Sequence, residues 1–431
     1  MLEKQIYSKP AARSKTLFSK LDSIARKTGL IVRESPRFNA GAFLLTLMKA
    51  TITGRASFGE MASTLKKCEL KPMSRQALWM RVGTRSVAFI IETLAVAMEE
   101  KWGLRKIVGS KDFKRVLIED SSQAKLHKSN SKNFPGHGNA KSESSGCKID
   151  LSFDLLSGEP VHQILHAATM QDKVLGRELV DMVRPGDLVL RDMGYFSIKE
   201  FRMIAERRAF WVSRLPANVG VYMEDGQELE KYLRSFKGNT LDVMVSLGKK
   251  AGEKVRLVAM RATKNITEQR RRNRRKVAAQ KGKKPPANTL LRDGWHLMVT
   301  NVGKEQLGTQ KLTELYAVRW QIEITFRAWK QSGELLKALD RKSNVEHLQT
   351  LIYANILWLI LTMKTASILQ QTIAKSKQVV SLEKLAKDMS EHLLTISNIN
   401  GFPEYEPYIR HVIMESRRRE PLMATGLRCL S

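Results

Sequence analysis

The chain reads as an α/β protein with helical flanks, and three patterns predict it. Between residues 115 and 215, runs rich in Val, Ile, Leu and Phe take turns with amphipathic runs. A strongly basic stretch containing short β-prone runs then interrupts that order. Both ends of the chain carry helical periodicity instead.

Taken in order, residues 1 to about 106 are predicted to be helical and hold 20 Lys and Arg against 8 Asp and Glu. Within them SFGEMASTLKKCELKPMSRQALWMRV reads as helix, turn, helix. Ser57 and Glu60 have capping-box spacing, Pro72 breaks the chain, and Ser74 heads a second helix carrying Arg75, Gln76, Trp79 and Arg81. A helix-turn-helix reader would turn such residues toward DNA, so Arg75 is a DNA-contact candidate.

From Arg115 the texture changes. RVLIED, CKIDLSFDLLSG and PVHQILHAAT read as strands, the first two separated by a loop rich in Gly, Ser and Asn. VLGRELVDMVRPG reads as a helix ending at Pro185-Gly186, DLVLRDMGYF as a strand breaking at Gly194, SIKEFRMIAERRA as a helix and FWVSRL as a strand. Residues 217–303 follow as a β-rich insertion with the runs NTLDVMVSLG, KVRLVAMRAT and WHLMVTNV. From Lys254 to Arg292 the insertion carries 14 Lys and Arg against the single acid Glu268. Arg270, Arg271, Arg272, Arg274 and Arg275 are its densest run and are predicted to meet a phosphate backbone. The remainder, from about 335, is helical.

The whole chain of 431 residues has a formal charge of +31, which predicts a polyanionic partner, most simply nucleic acid. A soluble enzyme of small molecules has no need of that imbalance, and no basic amphipathic helix dominates to suggest a membrane surface. Cys68, Cys147 and Cys429 are odd in number and far apart, which fits a reducing compartment and neither a disulfide framework nor a zinc site. The N-terminus lacks the apolar core of a signal peptide. The most apolar run, Leu351 to Met363, is too short to cross a bilayer and reads as a buried helix. A cytoplasmic, nucleoid-associated protein is expected.

The chemistry is sought where charged groups sit at the edge of apolar patterns. Tyr316, Arg319, Glu323 and Lys330, in LYAVRWQIEITFRAWKQ, fall within about 60° of arc on one α-helix. Leu315, Val318, Ile322, Phe326 and Trp329 form an apolar stripe beside them. Asp120 ends RVLIED, sharing a face with Val116 and Ile118, and Asp192 ends DLVLRD. Two strand-end carboxylates and a helical Glu323 could converge on a pair of hard cations, which bind oxygen ligands. The bland alternative is that each Asp caps a turn. Glu119, facing away from Asp120, and Asp154, inside a strand, are rivals; His162 and His166 are expected to pack or lie at the surface.

Asp120-Ser-Ser, Asp192-Met-Gly-Tyr-Phe and the Tyr316-x2-Arg319-x3-Glu323-x6-Lys330 spacing together resemble bacterial DDE transposases of the insertion-sequence-four type. The resemblance covers about residues 110 to 335. It implies an RNase H-like catalytic core with a β-rich insertion between the second Asp and the Glu. It implies that Asp120, Asp192 and Glu323 bind two Mg²⁺ or Mn²⁺ ions, and that Tyr316, Arg319 and Lys330 hold phosphates near the cut. It also implies a DNA hairpin intermediate, with Trp295 as the candidate to stack on a flipped base. The partners implied are double-stranded transposon ends and target DNA, bound by a homodimer. The expected division is 1–110 (helical, DNA-binding), 111–216 (core, first part), 217–303 (basic insertion), 304–340 (core, signature helix) and 341–431 (helical). The expected activity is cut-and-paste transposition. The alternatives are a nuclease of the same fold without strand transfer, or a non-catalytic transposase-derived DNA-binding protein.

Overall fold

The computed structural model describes residues 17–33, 38–67, 72–99, 112–138, 144–248, 252–320, 323, 326, 334–372, 379–395 and 413–414. The chain divides into two compact units. The first comprises residues 1–108, 120–170 and 320–424, and the second 109–119, 171–319 and 425–431. These units cut across the five-part division read from the sequence.

The first unit is built mainly from helices. Helix α1 covers 17–27, followed by α2 (Ala40–Thr53), α3 (Phe58–Lys67), α4 (Arg75–Arg81) and α5 (Thr84–Glu99). Asn39 caps α2 by accepting from the Ala42 amide, and Gly54 ends it at φ 67°, where a Cβ would also collide with Glu334. The two predicted caps are present: the Glu60 amide donates to Ser57 Oγ while the Ser57 amide donates to Glu60 Oε2, and the Ala77 amide donates to Ser74 Oγ. Near the other end lie α12 (Leu335–Leu339), α13 (Val345–Thr372) and α14 (Leu382–Thr395).

The apolar run Leu351–Met363 is the middle of α13, a helix of 28 residues, so the expectation that it is too short to span a bilayer is corrected. By length and composition Val345–Gln370 passes that test, but 89% of its most apolar window is buried inside the protein. It packs against α2 and α5. Its polar groups are matched there: Asn355 Nδ2 donates to Thr51 Oγ1 at 2.9 Å, Lys364 Nζ donates to the Ala97 carbonyl, and Ser86 and Thr350 hydroxyls meet at 3.1 Å. Also in this unit, β2 (Ser145–Asp154) and β3 (Pro160–Ala167) form an antiparallel hairpin with an irregularity at Ser152 and Phe153.

The second unit is a mixed sheet with helices. Strand β1 (Val116–Leu126) begins here and continues into the first unit. Its register with β4 (Leu188–Arg191) is parallel, Val116 opposite Leu188 and Ile118 opposite Leu190. β4 is parallel to β5 (Phe210–Arg214). The helices α6 (Asp172–Met182) and α7 (Ile198–Glu206) are the crossovers that parallel pairing demands. Trp211 of β5 stacks on Phe201 of α7 with ring centroids 4.0 Å apart. The sheet then turns antiparallel in the order β5-β9-β8-β7-β6, where β6 is Val221–Tyr222, β7 Thr240–Leu247, β8 Glu253–Arg261 and β9 Trp295–Thr300. The three β-prone runs of the basic insertion are therefore β7, β8 and β9. Helix α8 (Leu229–Ser235) lies between β6 and β7. Between β8 and β9 come α9 (Lys264–Gln280), which buries no residue, and α10 (Ala287–Arg292).

Candidate active site and nucleic-acid interface

Asp192 follows directly on β4 and precedes the 3₁₀ turn Met193–Tyr195. It stands at the N-cap position of that turn but makes no capping hydrogen bond, so the bland reading of a turn residue is not what its carboxylate does. The side chain is 34% exposed. Two members of the signature come to it. Tyr316 hydroxyl donates to the Arg191 carbonyl at 2.9 Å and lies 3.5 Å from Asp192 Oδ1, and Arg319 Nε lies 4.0 Å from the same oxygen. Burial, then the nearby Asp192 charge, push the Tyr316 phenol well above its ordinary range, so it stays protonated and acts as a donor.

The residue beside Asp192 explains why the strand end is firm. Arg191 is fully buried and faces the opposite side of β4. It donates to the Glu200 carboxylate and the Gly176 carbonyl, and it lies 3.4 Å from Glu119 Oε2. A Cβ at position 176 would stand 3.2 Å from Arg191 Nη1 and 3.1 Å from Glu200 Oε2, so glycine leaves room for this cluster. Glu119 is thus an internal ion-pair partner, on the face opposite Asp120 as predicted. The sequence reading missed Arg191, because a buried cation at a strand end has no periodic signature of its own.

Asp120 does not end its strand. β1 runs on to Leu126 because Ser122, Ala124 and Leu126 continue the alternation of buried positions begun by Val116 and Ile118. Asp120 is half-buried in mid-strand and accepts from the Ser121 amide at 2.8 Å. Asp154 is a turn residue: its carboxylate accepts from the Leu156 amide and the Ser157 hydroxyl, closing the β2–β3 connection.

The signature is not one continuous α-helix. Helix α11 (Thr309–Ala317) carries Tyr316, and a 3₁₀ turn, Val318–Trp320, carries Arg319. Glu323 and Phe326 are helical beyond it, the first half-buried and the second buried. A 3₁₀ turn advances about 120° per residue against 100° in an α-helix, so three residues shift the wheel by about 60°. Lys330 lies outside the described residues. Asp120 and Glu323 belong to the first unit and Asp192 to the second. Among the described residues, no three His, Cys, Asp or Glu groups stand close enough together to hold an ion.

The start of α11 is fixed to the insertion by Arg256 of β8. Its guanidinium pairs with both oxygens of Asp242 at 2.8 Å and donates to the Val302 and Leu307 carbonyls, while Thr309 Oγ1 donates to Asp242 Oδ2. Asp242 is held below the usual carboxylate range, first by the Arg256 hydrogen bonds.

The five clustered arginines of α9, expected together at a phosphate backbone, separate into two groups by their contacts within the protein. Arg270 donates to the Asp293 and Trp295 carbonyls and meets His296 Nδ1, Arg271 donates to the Leu290 carbonyl, and Arg274 chelates the Asp293 carboxylate. These three hold α9 to its own unit. Arg272 and Arg275, with Lys276, are exposed and have no ion-pair partner among the described residues. In the first unit Arg75 is likewise exposed on α4, whereas Arg81 is turned inward, 4.4 Å above the Phe38 ring.

Trp295 heads β9 but is only 4% exposed. Its ring lies beneath the Arg261 guanidinium at 4.4 Å and beside Phe236 with centroids 6.0 Å apart. As it stands the indole offers no open face, and stacking on an extruded base requires Arg261 to leave.

A family model described as Transposase DDE domain matches residues 111–359, more than half of the chain. The chain belongs to that family, and it is a DDE-type transposase, an enzyme that acts on DNA. It is 24% identical to the transposase for insertion sequence element IS231B of Bacillus thuringiensis subsp. berliner, over 90% of this chain and 84% of the relative. It is 25% identical to that of IS231F from Bacillus thuringiensis subsp. israelensis, over 80% and 78%, and 23% identical to that of IS1151 from Clostridium perfringens, over 90% and 84%. Among solved structures it is similar to the piggyBac transposase synaptic complex with hairpin DNA, with TM-score 0.42, 10% identity, and coverage of 100% of this chain and 84% of that one. Its fold is the mixed α/β class expected, with β1, β4 and β5 parallel.

Proposed function

We propose that the chain is a cut-and-paste transposase of the insertion-sequence-four type that binds terminal inverted repeats as a homodimer and frees a 3′-OH at each end. The observation that carries this reading is the meeting of Asp192, uncapped and partly exposed at the end of β4, with the signature residues Tyr316 and Arg319. The DDE family makes a divalent cation the expected cofactor. The donor set suits it: Asp120, Asp192 and Glu323 offer only hard carboxylate oxygens, and Asp192 is not committed to a cap. Two Mg²⁺ or Mn²⁺ ions held by these three would polarise the attacking and leaving oxygens of a phosphodiester.

The chain's own groups then have distinct tasks. Tyr316 and Arg319 orient the Asp192 carboxylate and place a hydroxyl and a positive charge where a scissile phosphate would lie. Lys330 adds a further cation by its place in the signature. Arg272 and Arg275 on α9 engage the backbone farther along the duplex, and Arg75 on α4 is a further DNA contact. The freed 3′-OH attacks the opposite strand to form a hairpin, and after the hairpin opens it attacks target DNA. Trp295 would support the bent intermediate only once Arg261 has moved off the ring.

A plasmid bearing inverted repeats, incubated with the protein and Mg²⁺, tests the reading. Joined product is expected. Cut but unjoined product would indicate a nuclease, and bound, intact DNA a non-catalytic protein. Hairpin formation is read on a denaturing gel from a pre-nicked end.

A further inference from the structure

The first unit contains a cleft of about 450 Å³ between the α3–α4 pair and the segment leading into α13. That volume is within the roughly 300–1,000 Å³ of small-ligand sites. Phe58, Arg75, Trp79, Arg341, Lys342 and His347 line it. Trp79 is 60% exposed, an unusual state for an indole. Arg75 and Lys342 are exposed beside it and make no ion pair among the described residues, whereas Arg341 is committed to Glu60 at 2.6 Å. At the inner end, His347 stacks on Phe58 with centroids 4.4 Å apart and its ring meets the Ala56 backbone, while its buried Nε2 has no close hydrogen-bond partner among the described residues. A flat exposed ring, two uncommitted cations and an unmatched polar atom thus share one concavity.

We propose that this cleft holds an unpaired nucleotide of DNA, its base on Trp79, its phosphate between Arg75 and Lys342, and the base edge toward Nε2 of His347. A helix that reads a duplex groove presents successive side chains outward; α4 is only 7 residues long and sends Arg81 back onto Phe38. A single aromatic platform flanked by cations is instead the arrangement that receives a splayed base. The site therefore takes the single-stranded part of a nicked or frayed end, and the inference rests on DNA being the partner.

The test uses the full chain in EDTA, so that no cutting intervenes, with fluorescence anisotropy of a labelled oligothymidylate and a labelled blunt duplex. Trp79→Leu should raise the Kd for the single strand by roughly fivefold or more, in line with about 1–3 kcal/mol per stacked base. Trp79→Phe should restore most of it. Arg75→Ala with Lys342→Ala should flatten the single-strand salt slope by about 0.7 for each phosphate no longer neutralised. Duplex affinity should stay within about twofold for the tryptophan variants. Because Trp79 is exposed, unchanged circular-dichroism melts are expected. Equal loss on duplex would make α4 a groove reader, and no loss on either would make Trp79 a bare surface residue; both results overturn the inference. Wild type that binds duplex but not the oligothymidylate overturns it alone, while wild type that binds neither overturns the transposase reading as well.

Discussion

At the scale of single residues, alternation decides which side of a strand does chemistry and which side holds it in place. Arg191 and Glu119 face inward and pair, while their neighbours Asp192 and Asp120 face the other way. Alanine at either aspartate should therefore abolish cleavage while leaving affinity for inverted-repeat DNA largely intact, as read by gel shift beside the plasmid assay. Trp295 belongs to the packed interior of its unit. Trp295→Ala should destabilise the protein by about 3–5 kcal/mol, read as a lowered urea midpoint; an unmoved midpoint would show that the ring is not core. His347 carries a pH signature: burial lowers its imidazole from 6.5 to about 4. The unfolded chain thus binds a proton more readily between those values. Stability from this group is present in full above about pH 6.5 and falls progressively toward pH 4, by about 3 kcal/mol at most. Urea titrations across that range should show the slope, and His347→Phe should flatten it. Asp120 and Asp192 were legible in the sequence because carboxylates beside apolar alternation are rare. Arg191 was not, since its partners Glu119, Gly176 and Glu200 are distant in the chain and only folding brings them together.

At the scale of elements, period-two runs gave β2 to β5 and β7 to β9 within a few residues of their observed bounds. β1 extends past its predicted end because Ser121, Ser122 and Gln123 mask the alternation with polar side chains. The break between α11 and the segment holding Glu323 was also hidden, since Val318, Arg319 and Trp320 carry neither Gly nor Pro to announce a 3₁₀ turn. Helix α9 shows the limit of composition. Its arginines look alike in sequence, yet Arg270, Arg271 and Arg274 are anchors and Arg272 and Arg275 are not. Replacing Arg272, Arg275 and Lys276 with Ala should weaken duplex binding and reduce the salt slope by about 0.9 for each phosphate left unneutralised, with little effect on the melt. Replacing Arg270 and Arg274 should lower the melting temperature instead, because the buried Asp293 loses its partner. A melt that moves equally for both sets would erase the distinction.

At the scale of the whole molecule, the basic composition foretold a DNA-acting protein, and the chain order of strands and helices foretold the α/β class. Neither could foretell which pieces form compact units, because the chain passes from one to the other inside single elements, within β1 at Asp120 and within the 3₁₀ turn Val318–Trp320. The long apolar helix α13 was expected to be buried, and its polar groups show how. Asn355 and Lys364 are matched to α2 and α5, partners about 250 residues or more earlier in the chain, which no local window can reveal.

That matching has a consequence for synthesis. From Ala40 to Ile52 every residue of α2 is buried in the finished protein, so the helix has no solvent side of its own. α2 and α5 leave the ribosome long before α13, and at about 5–20 residues per second the interval is on the order of tens of seconds. Until then their greasy surfaces lack a permanent cover, and a nascent chain is exposed to chaperones and to its neighbours. Messages that terminate early should therefore yield an aggregating product. A fragment ending at residue 344 should pellet on centrifugation and be rescued by supplying residues 345–395 on a second chain. A soluble, monomeric fragment would show that the N-terminal helices close without α13.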